Sequence, residues 1–264
     1  MSSNKVILVT GSNTGIGYDL VHLLAAKGHT VYLSSRNAAA GAEAVYDFIW
    51  ESITPKVTLP FRAKIKKEKS LHVKFVQLDV TDSASVTAAA AKIEQDEGCL
   101  NVLVNNAGIS EMHKLTKVSE VDLTSLRATF ETNLVGLIQT TTAFLPLLRA
   151  SHTPEVPSVI LNVTTGMASN ALMASPEGIL HQAVPYNTSK VAVNSYTIAL
   201  AHELKDEGIK VNCVSPGFTT TKLNGFAPGG KTPEQGAAVL VEWALLDDTG
   251  KTGHFASDSG EMRW

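Results

Sequence analysis

Tyr186 and Lys190 lie four residues apart in a stretch whose pattern predicts a helix, so their side chains share one helical face. A free phenol ionises at about pH 10, and a nearby ammonium favours the phenolate and lowers that value. The pair therefore suits Tyr186 to proton transfer, although a Tyr and a Lys at this spacing also occur by chance in many helices. A second pattern is Thr10-Gly11-Ser12-Asn13-Thr14-Gly15-Ile16-Gly17. Glycines here allow a tight turn and close approach to a pyrophosphate, whose charge is met by free N–H groups and the positive end of a helix dipole. Read alone, the same cluster is also compatible with a purely structural turn.

These residues need elements to hold them. Val6 to Val9 is a short aliphatic run without polar alternation, as expected of a parallel strand buried on both faces. Asp19 to Lys27 predicts a helix, and further strands are expected at Thr30 to Ser34, Lys74 to Leu78 and Val102 to Val104. Ala84 to Asp96 and a long stretch from Leu123 to Arg149 predict helices. Ser158 to Val163 predicts a fifth strand, Tyr186 to Asp206 a helix and Lys210 to Val214 a sixth strand. This alternation implies an α/β fold of the Rossmann type, a doubly wound parallel sheet with helices on both faces, in a single domain spanning 1–264. Two stretches break the rhythm. One is a peripheral insert at about 46–63, read as a docked loop or an added binding surface. The other, from Ala171 to Pro185, leads directly into Tyr186 and is placed to shape a pocket.

The glycine spacing G-x-x-x-G-x-G resembles that of the classical short-chain dehydrogenase/reductase family, and further matches follow in the family's order along nearly the whole chain. Asp79 in Leu78-Asp79-Val80 and the run Asn105-Asn106-Ala107-Gly108 resemble positions around the adenine side of the cofactor. Asn133 matches the catalytic asparagine, Tyr186-Asn187-Thr188-Ser189-Lys190 the Y-x-x-x-K signature, and Pro216-Gly217 with Thr219 and Thr221 the turn that contacts the nicotinamide carboxamide. Gly253-His254-Phe255, Trp264 and Lys231-Thr232-Pro233-Glu234 look most like the carbonyl reductase branch. The resemblance implies an oxidoreductase that interconverts a carbonyl and an alcohol, with Tyr186 giving or taking the proton at the substrate oxygen. It implies Lys190 on the ribose hydroxyls and Asn133 holding a water that links Lys190 to solvent. Where the family normally has a serine after the fifth strand, Asn162-Val163-Thr164-Thr165-Gly166 offers Thr165, whose hydroxyl can donate the same bond. Its extra methyl restricts χ1 and narrows the pocket. Ser169 and Ser175 are the alternative hydroxyls.

Cofactor choice turns on Val31-Tyr32-Leu33-Ser34-Ser35-Arg36, which has no Asp or Glu for a ribose 2′-hydroxyl. Arg36 would attract a 2′-phosphate, so NADP(H) is expected; the bland reading is a solvent-exposed loop arginine. The Leu, Met, Phe, Ala and Pro content of 166–185 and of a substrate-loop region at about 222–235 suggests a small apolar carbonyl or alcohol substrate such as a steroid, quinone, terpenoid or polyketide. A non-catalytic NADP(H)-binding sensor or scaffold is the rival. It has no need of a proton donor beside a nicotinamide.

Composition narrows the remaining classes. Hydrophobic residues make up 44%, charged residues 18% and net charge is -3 over 264 residues, all ordinary for a globular chain. Lys64, Lys66, Lys67 and Lys69, flanked by Glu68, read as a solvated face, so no nucleic acid partner is expected. Cys99 and Cys213 are too few for a disulfide framework and lack metal-ligand spacing, so neither a disulfide nor a metal is expected. No run reaches the about 18 apolar residues that cross a bilayer. A cytoplasmic location with no membrane partner is the expectation. Monomer and homo-oligomer stay open.

Overall fold

The computed structural model describes residues 4–53, 71–153 and 156–264. Among these residues eight strands form one sheet: β1 (Val6–Val9), β2 (Thr30–Ser35), β3 (Val73–Gln77), β4 (Val102–Asn105), β5 (Val159–Val163), β6 (Lys210–Ser215), β7 (Phe255–Ser257) and β8 (Gly260–Glu261). Their spatial order is β3-β2-β1-β4-β5-β6-β7-β8, parallel throughout except for the antiparallel β7–β8 pair. The chain winds outward from β1 to β3, returns to β4 beside β1, and winds outward again. Such a reversal opens a crevice at the carboxyl ends of the strands.

Helices α1 (Gly15–Ala26), α2 (Ala38–Ile53), α3 (Ser83–Glu97), α4 (Leu123–Phe130), α5 (Gly136–Ser151), α6 (Asn170–Met173), α7 (Val184–Glu203) and α8 (Pro233–Ala244) complete the fold. Successive strand residues enter different cores. Ile7, Val9 and Leu161 pack with Leu20, Leu24 and Leu240 on one side, while Leu8, Leu103 and Ile160 pack with Phe144, Leu148 and Leu200 on the other. Burying each such side chain is worth roughly 1.5–3 kcal/mol relative to leaving it in water. A polar chain also crosses the sheet, from Asn105 to Asn162 Oδ1 and from Asn162 to Thr197 Oγ1, each at 2.9 Å.

The predicted doubly wound architecture is the one observed, with four departures. Helix α1 begins at Gly15, not Asp19, because the end of the glycine turn is itself the first helical turn. The expected helix from Leu123 to Arg149 is divided by a π-helical turn at Glu131–Val135, and α5 accommodates Pro146. The expected insert begins inside α2, which continues to Ile53; residues 54–63, and the lysine run after them, lie outside the described residues. The strands β7 and β8 and the helix α8 extend beyond the six strands expected; Thr232 and Gln235 start α8 with a reciprocal capping box. Among the described residues, no helix is long and apolar enough to cross a membrane.

Candidate active site

The conformation of the turn after β1 requires glycine. Gly11 and Gly15 have φ of 58° and 63°, in the left-handed region. A β-carbon at Gly11 would lie 2.8 Å from Ala107 Cα, and one at Gly17 would lie 2.5 Å from Asn106 Nδ2. The turns after β1 and β4 are joined there. Thr10 Oγ1 accepts from the amides of Asn106 and Ala107 at 2.9 Å each, and Asn106 Nδ2 donates to the carbonyls of Thr10 and Gly11 at 2.9 and 3.1 Å. Thr14 precedes α1 without a side-chain cap, and no acidic residue sits in the first turn. A helix start without an acidic side chain leaves the positive end of its dipole uncompensated by charge. Ser12 faces inward instead: its amide donates to the Ser34 carbonyl, and its hydroxyl donates to the Val9 carbonyl while accepting from the Ser34 amide.

This turn is one wall of a cleft of about 620 Å³. At one end lie Ser35, Arg36 and Asn37, facing Leu78, Asp79, Val80 and Thr81. Arg36 is exposed, while Asp79 accepts from the amide and hydroxyl of Thr81 at 2.9 and 2.7 Å. Burial opposes ionisation of Asp79, yet these hydrogen bonds and the Arg36 charge hold its carboxyl below the usual range. Ala107 and Gly108 also line the cleft. Asn105 does not: its side chain turns into the interior and donates to Thr141 Oγ1 and Asn162 Oδ1. Asn106 takes the place expected of Asn105. The alternation of β4 contains that signal, since the last strand residue points to the core and the next one outward.

The other end of the cleft adjoins Asn133 and Lys190. A β-carbon at Gly108 would come 3.1 Å from Asn133 Oδ1 and 3.7 Å from Lys190 Nζ. Asn133 sits in the π turn, fully buried; its Oδ1 accepts from the Ile109 amide and its Nδ2 donates to the Ile109 carbonyl, both at 2.9 Å. The same Nδ2 reaches Ser189 Oγ at 3.0 Å, tying the turn to α7. Lys190 donates to the Val163 carbonyl at 2.8 Å. Tyr186 and Lys190 are both buried, and here the expectation of a phenol made more acidic is corrected. Burial pushes the Tyr186 phenol up to about 12 and brings the Lys190 ammonium down to about 8. Each charged form has lost its water, and the ammonium is directed at a carbonyl.

Thr165 is half-buried beyond the end of β5, and its hydroxyl accepts from the Met167 amide at 3.3 Å, leaving its proton available. The two alternative hydroxyls are engaged elsewhere: Ser169 donates to the Arg263 carbonyl and Ser175 to the Leu172 carbonyl. At the turn after β6, Gly217 has φ 79°, and a β-carbon there would come 2.9 Å from Lys231 Nζ. Lys231 pairs with Asp258, and Thr219 Oγ1 donates to the Gly217 carbonyl. Thr219 is buried; Thr221 reaches the cleft, as do Lys222 and Leu223. Ser110, which no sequence motif marked, donates to the carbonyl of Leu223 in the expected substrate-loop region and closes this end.

The family profile described as short chain dehydrogenase matches residues 5–229. A short-chain dehydrogenase/reductase of Aspergillus fumigatus is 31% identical over 281 aligned positions, covering 99% of this chain and 97% of that protein. The structure of salutaridine reductase from Papaver somniferum is similar at a TM-score of 0.76 with 26% identity, covering 97% of this chain and 100% of that one. NADPH-bound carbonyl reductase from chicken fatty liver is similar at a TM-score of 0.79 with 25% identity, covering 100% of this chain and 96% of that one.

Proposed function

Since the chain belongs to the short-chain dehydrogenase family, we propose that it is an NADP(H)-dependent reductase of apolar carbonyl compounds with Tyr186 as general acid/base. The carrying observation is the convergence of Asn133 and Lys190 on Gly108, in the wall of a cleft that begins at a glycine cradle.

The residues present fit a phosphorylated dinucleotide. The Thr14 side chain does not cap α1, Gly11 and Gly17 let the turn after β1 pack against the turn after β4 without a β-carbon in the way, and exposed Arg36 offers a cation for a 2′-phosphate. Arg36 and the amides of Asn13 to Gly17 would hold the phosphates, with Asp79 and Val80 at the adenine end and Pro216, Gly217, Thr219 and Thr221 around the nicotinamide end. When bound, the nicotinamide supplies or accepts the hydride. Tyr186, at about 12, keeps its proton through neutral pH and gives it to the substrate oxygen in reduction. Thr165 donates a second hydrogen bond to that oxygen. Lys190 brings positive charge to the same region, and Asn133 fixes the Ile109 backbone beside it. The deciding experiment is NADPH oxidation with a panel of aldehydes, ketones and quinones. Turnover with at least one class, lost by about 100-fold or more in Tyr186→Phe with NADPH still bound, is expected. Undiminished turnover in that variant overturns the proton-transfer role, and binding without turnover on any class overturns the enzyme reading.

A further inference from the structure

Beyond Tyr186 and Lys190, helix α7 presents a third polar side chain at the same interval. Asn194 lies one turn past Lys190, so 186, 190 and 194 share one face. It is 3% exposed and both ends of its amide are engaged. Its Oδ1 accepts from Thr164 Oγ1 at 2.9 Å, and its Nδ2 donates to the Ala168 carbonyl at 3.2 Å. One side chain therefore grips the segment immediately before Thr165 and again three residues after it.

Thr165 has few other constraints. Its own contacts are local: its hydroxyl accepts from the Met167 amide and its carbonyl accepts from the Ala168 amide at 3.0 Å. What ties this short turn to the rest of the protein on the α7 side is Asn194, together with the bond from Lys190 to Val163 one residue before Thr164. The task needs an acceptor toward the Thr164 hydroxyl and a donor toward the Ala168 carbonyl. A carboxamide offers both; a carboxylate lacks the donor and an aliphatic group lacks both.

We infer that Asn194 is a positioning residue that acts through Thr165, clamping residues 164 to 168 so that the Thr165 hydroxyl is held in register with the Tyr186 phenol. The inference rests on the reading that Thr165 donates to the reacting oxygen, and the test separates the two. With NADPH and a carbonyl substrate turned over by the unmodified enzyme, Asn194→Asp is expected to lower kcat about tenfold while leaving the KM for NADPH within about twofold. Thr164→Val, which removes the hydroxyl donor at nearly constant shape, is expected to do the same, and Thr164→Ser to restore turnover. This second route applies even where a buried aspartate impairs folding. In a Thr165→Ala background both changes are expected to alter kcat by less than about twofold, because the group they position is gone.

A kcat loss that persists undiminished in that background shows a general structural role and overturns the Asn194 inference alone. Unmodified kcat in both Asn194→Asp and Thr164→Val overturns it as well. Unmodified kcat in Thr165→Ala overturns the underlying reading of Thr165, and the positioning role with it.

Discussion

The Lys190 ammonium is tethered to the Val163 carbonyl at 2.8 Å, at the end of the strand that leads into Thr165. This bond, with those of Asn194 to Thr164 and Ala168, fixes the charge on α7 with respect to the hydroxyl beyond β5. Because burial lowers Lys190 to about 8, its ammonium is present below that pH and lost above it, whereas Tyr186 at about 12 stays protonated throughout. The kcat/KM for carbonyl reduction is expected to hold through neutral pH and fall as pH rises through about 8. In Lys190→Arg, whose guanidinium keeps its charge, the falling limb should move to higher pH. A profile that rises through pH 8 contradicts the assignment.

Two glycines of the same hand separate the cost of the cradle from that of backbone strain. Gly11→Ala places a β-carbon 2.8 Å from Ala107 Cα at φ 58°, whereas Gly28, at φ 90°, has open space around it. Gly28→Ala should destabilise by about 1–2 kcal/mol, the left-handed penalty alone. Gly11→Ala should cost more than that and also weaken NADPH binding, as read by denaturant unfolding and fluorescence titration. Equal stability losses with unaffected binding would refute the joined turns as the cofactor cradle.

Arg36→Ala removes the exposed cation on the cleft wall. If it recognises a 2′-phosphate, NADPH affinity should fall about 10-fold or more, the size of a charge-assisted hydrogen bond, while NADH affinity changes by less than about twofold. Calorimetric titration with both nucleotides reads the difference. A parallel loss for the two would assign Arg36 to general electrostatics instead.

Thr165→Ser retains the hydroxyl and frees the space of one methyl, so turnover should stay at or above that of the unmodified protein. Thr165→Val keeps the shape and loses the donor, and kcat should drop about 100-fold. Matched rates for the two variants would show that no hydrogen bond from this position matters.

How much of this was visible beforehand depended on the kind of signal. The buried run Val6 to Val9, the glycine turn and the strand-helix alternation specify a doubly wound sheet because hydrophobic period and turn chemistry are local properties. The two short strands β7 and β8 were not legible: three- and two-residue segments have no measurable periodicity. Motif order pointed to Gly108, Asn133 and Lys190, which the fold brings to one place. Side-chain direction was less accessible. Asn105 and Ser12 sit inside recognisable motifs yet face inward: Asn105 because adjacent residues at a strand end point oppositely, and Ser12 because its hydroxyl bonds the Val9 carbonyl and the Ser34 amide. The ionisation of Tyr186 was misread for a related reason: helical spacing puts Lys190 on the same face, but burial, a tertiary quantity, raises the phenol, and the ammonium bonds the Val163 carbonyl.

The π turn at Glu131–Val135 constrains the length of this chain more than its sequence. Ser125, Thr129, Asn133, Leu137 and Thr141 all point inward at a uniform step of four, which an unbroken 3.6-residue helix would carry progressively around its axis. The wide turn absorbs the surplus and returns both halves to phase. Deleting one residue between 131 and 135 would regularise the hydrogen bonding and swing either the α4 face or the α5 face by about 100°. Shortening the segment would therefore break the arrangement even where every side chain, Asn133 included, is kept.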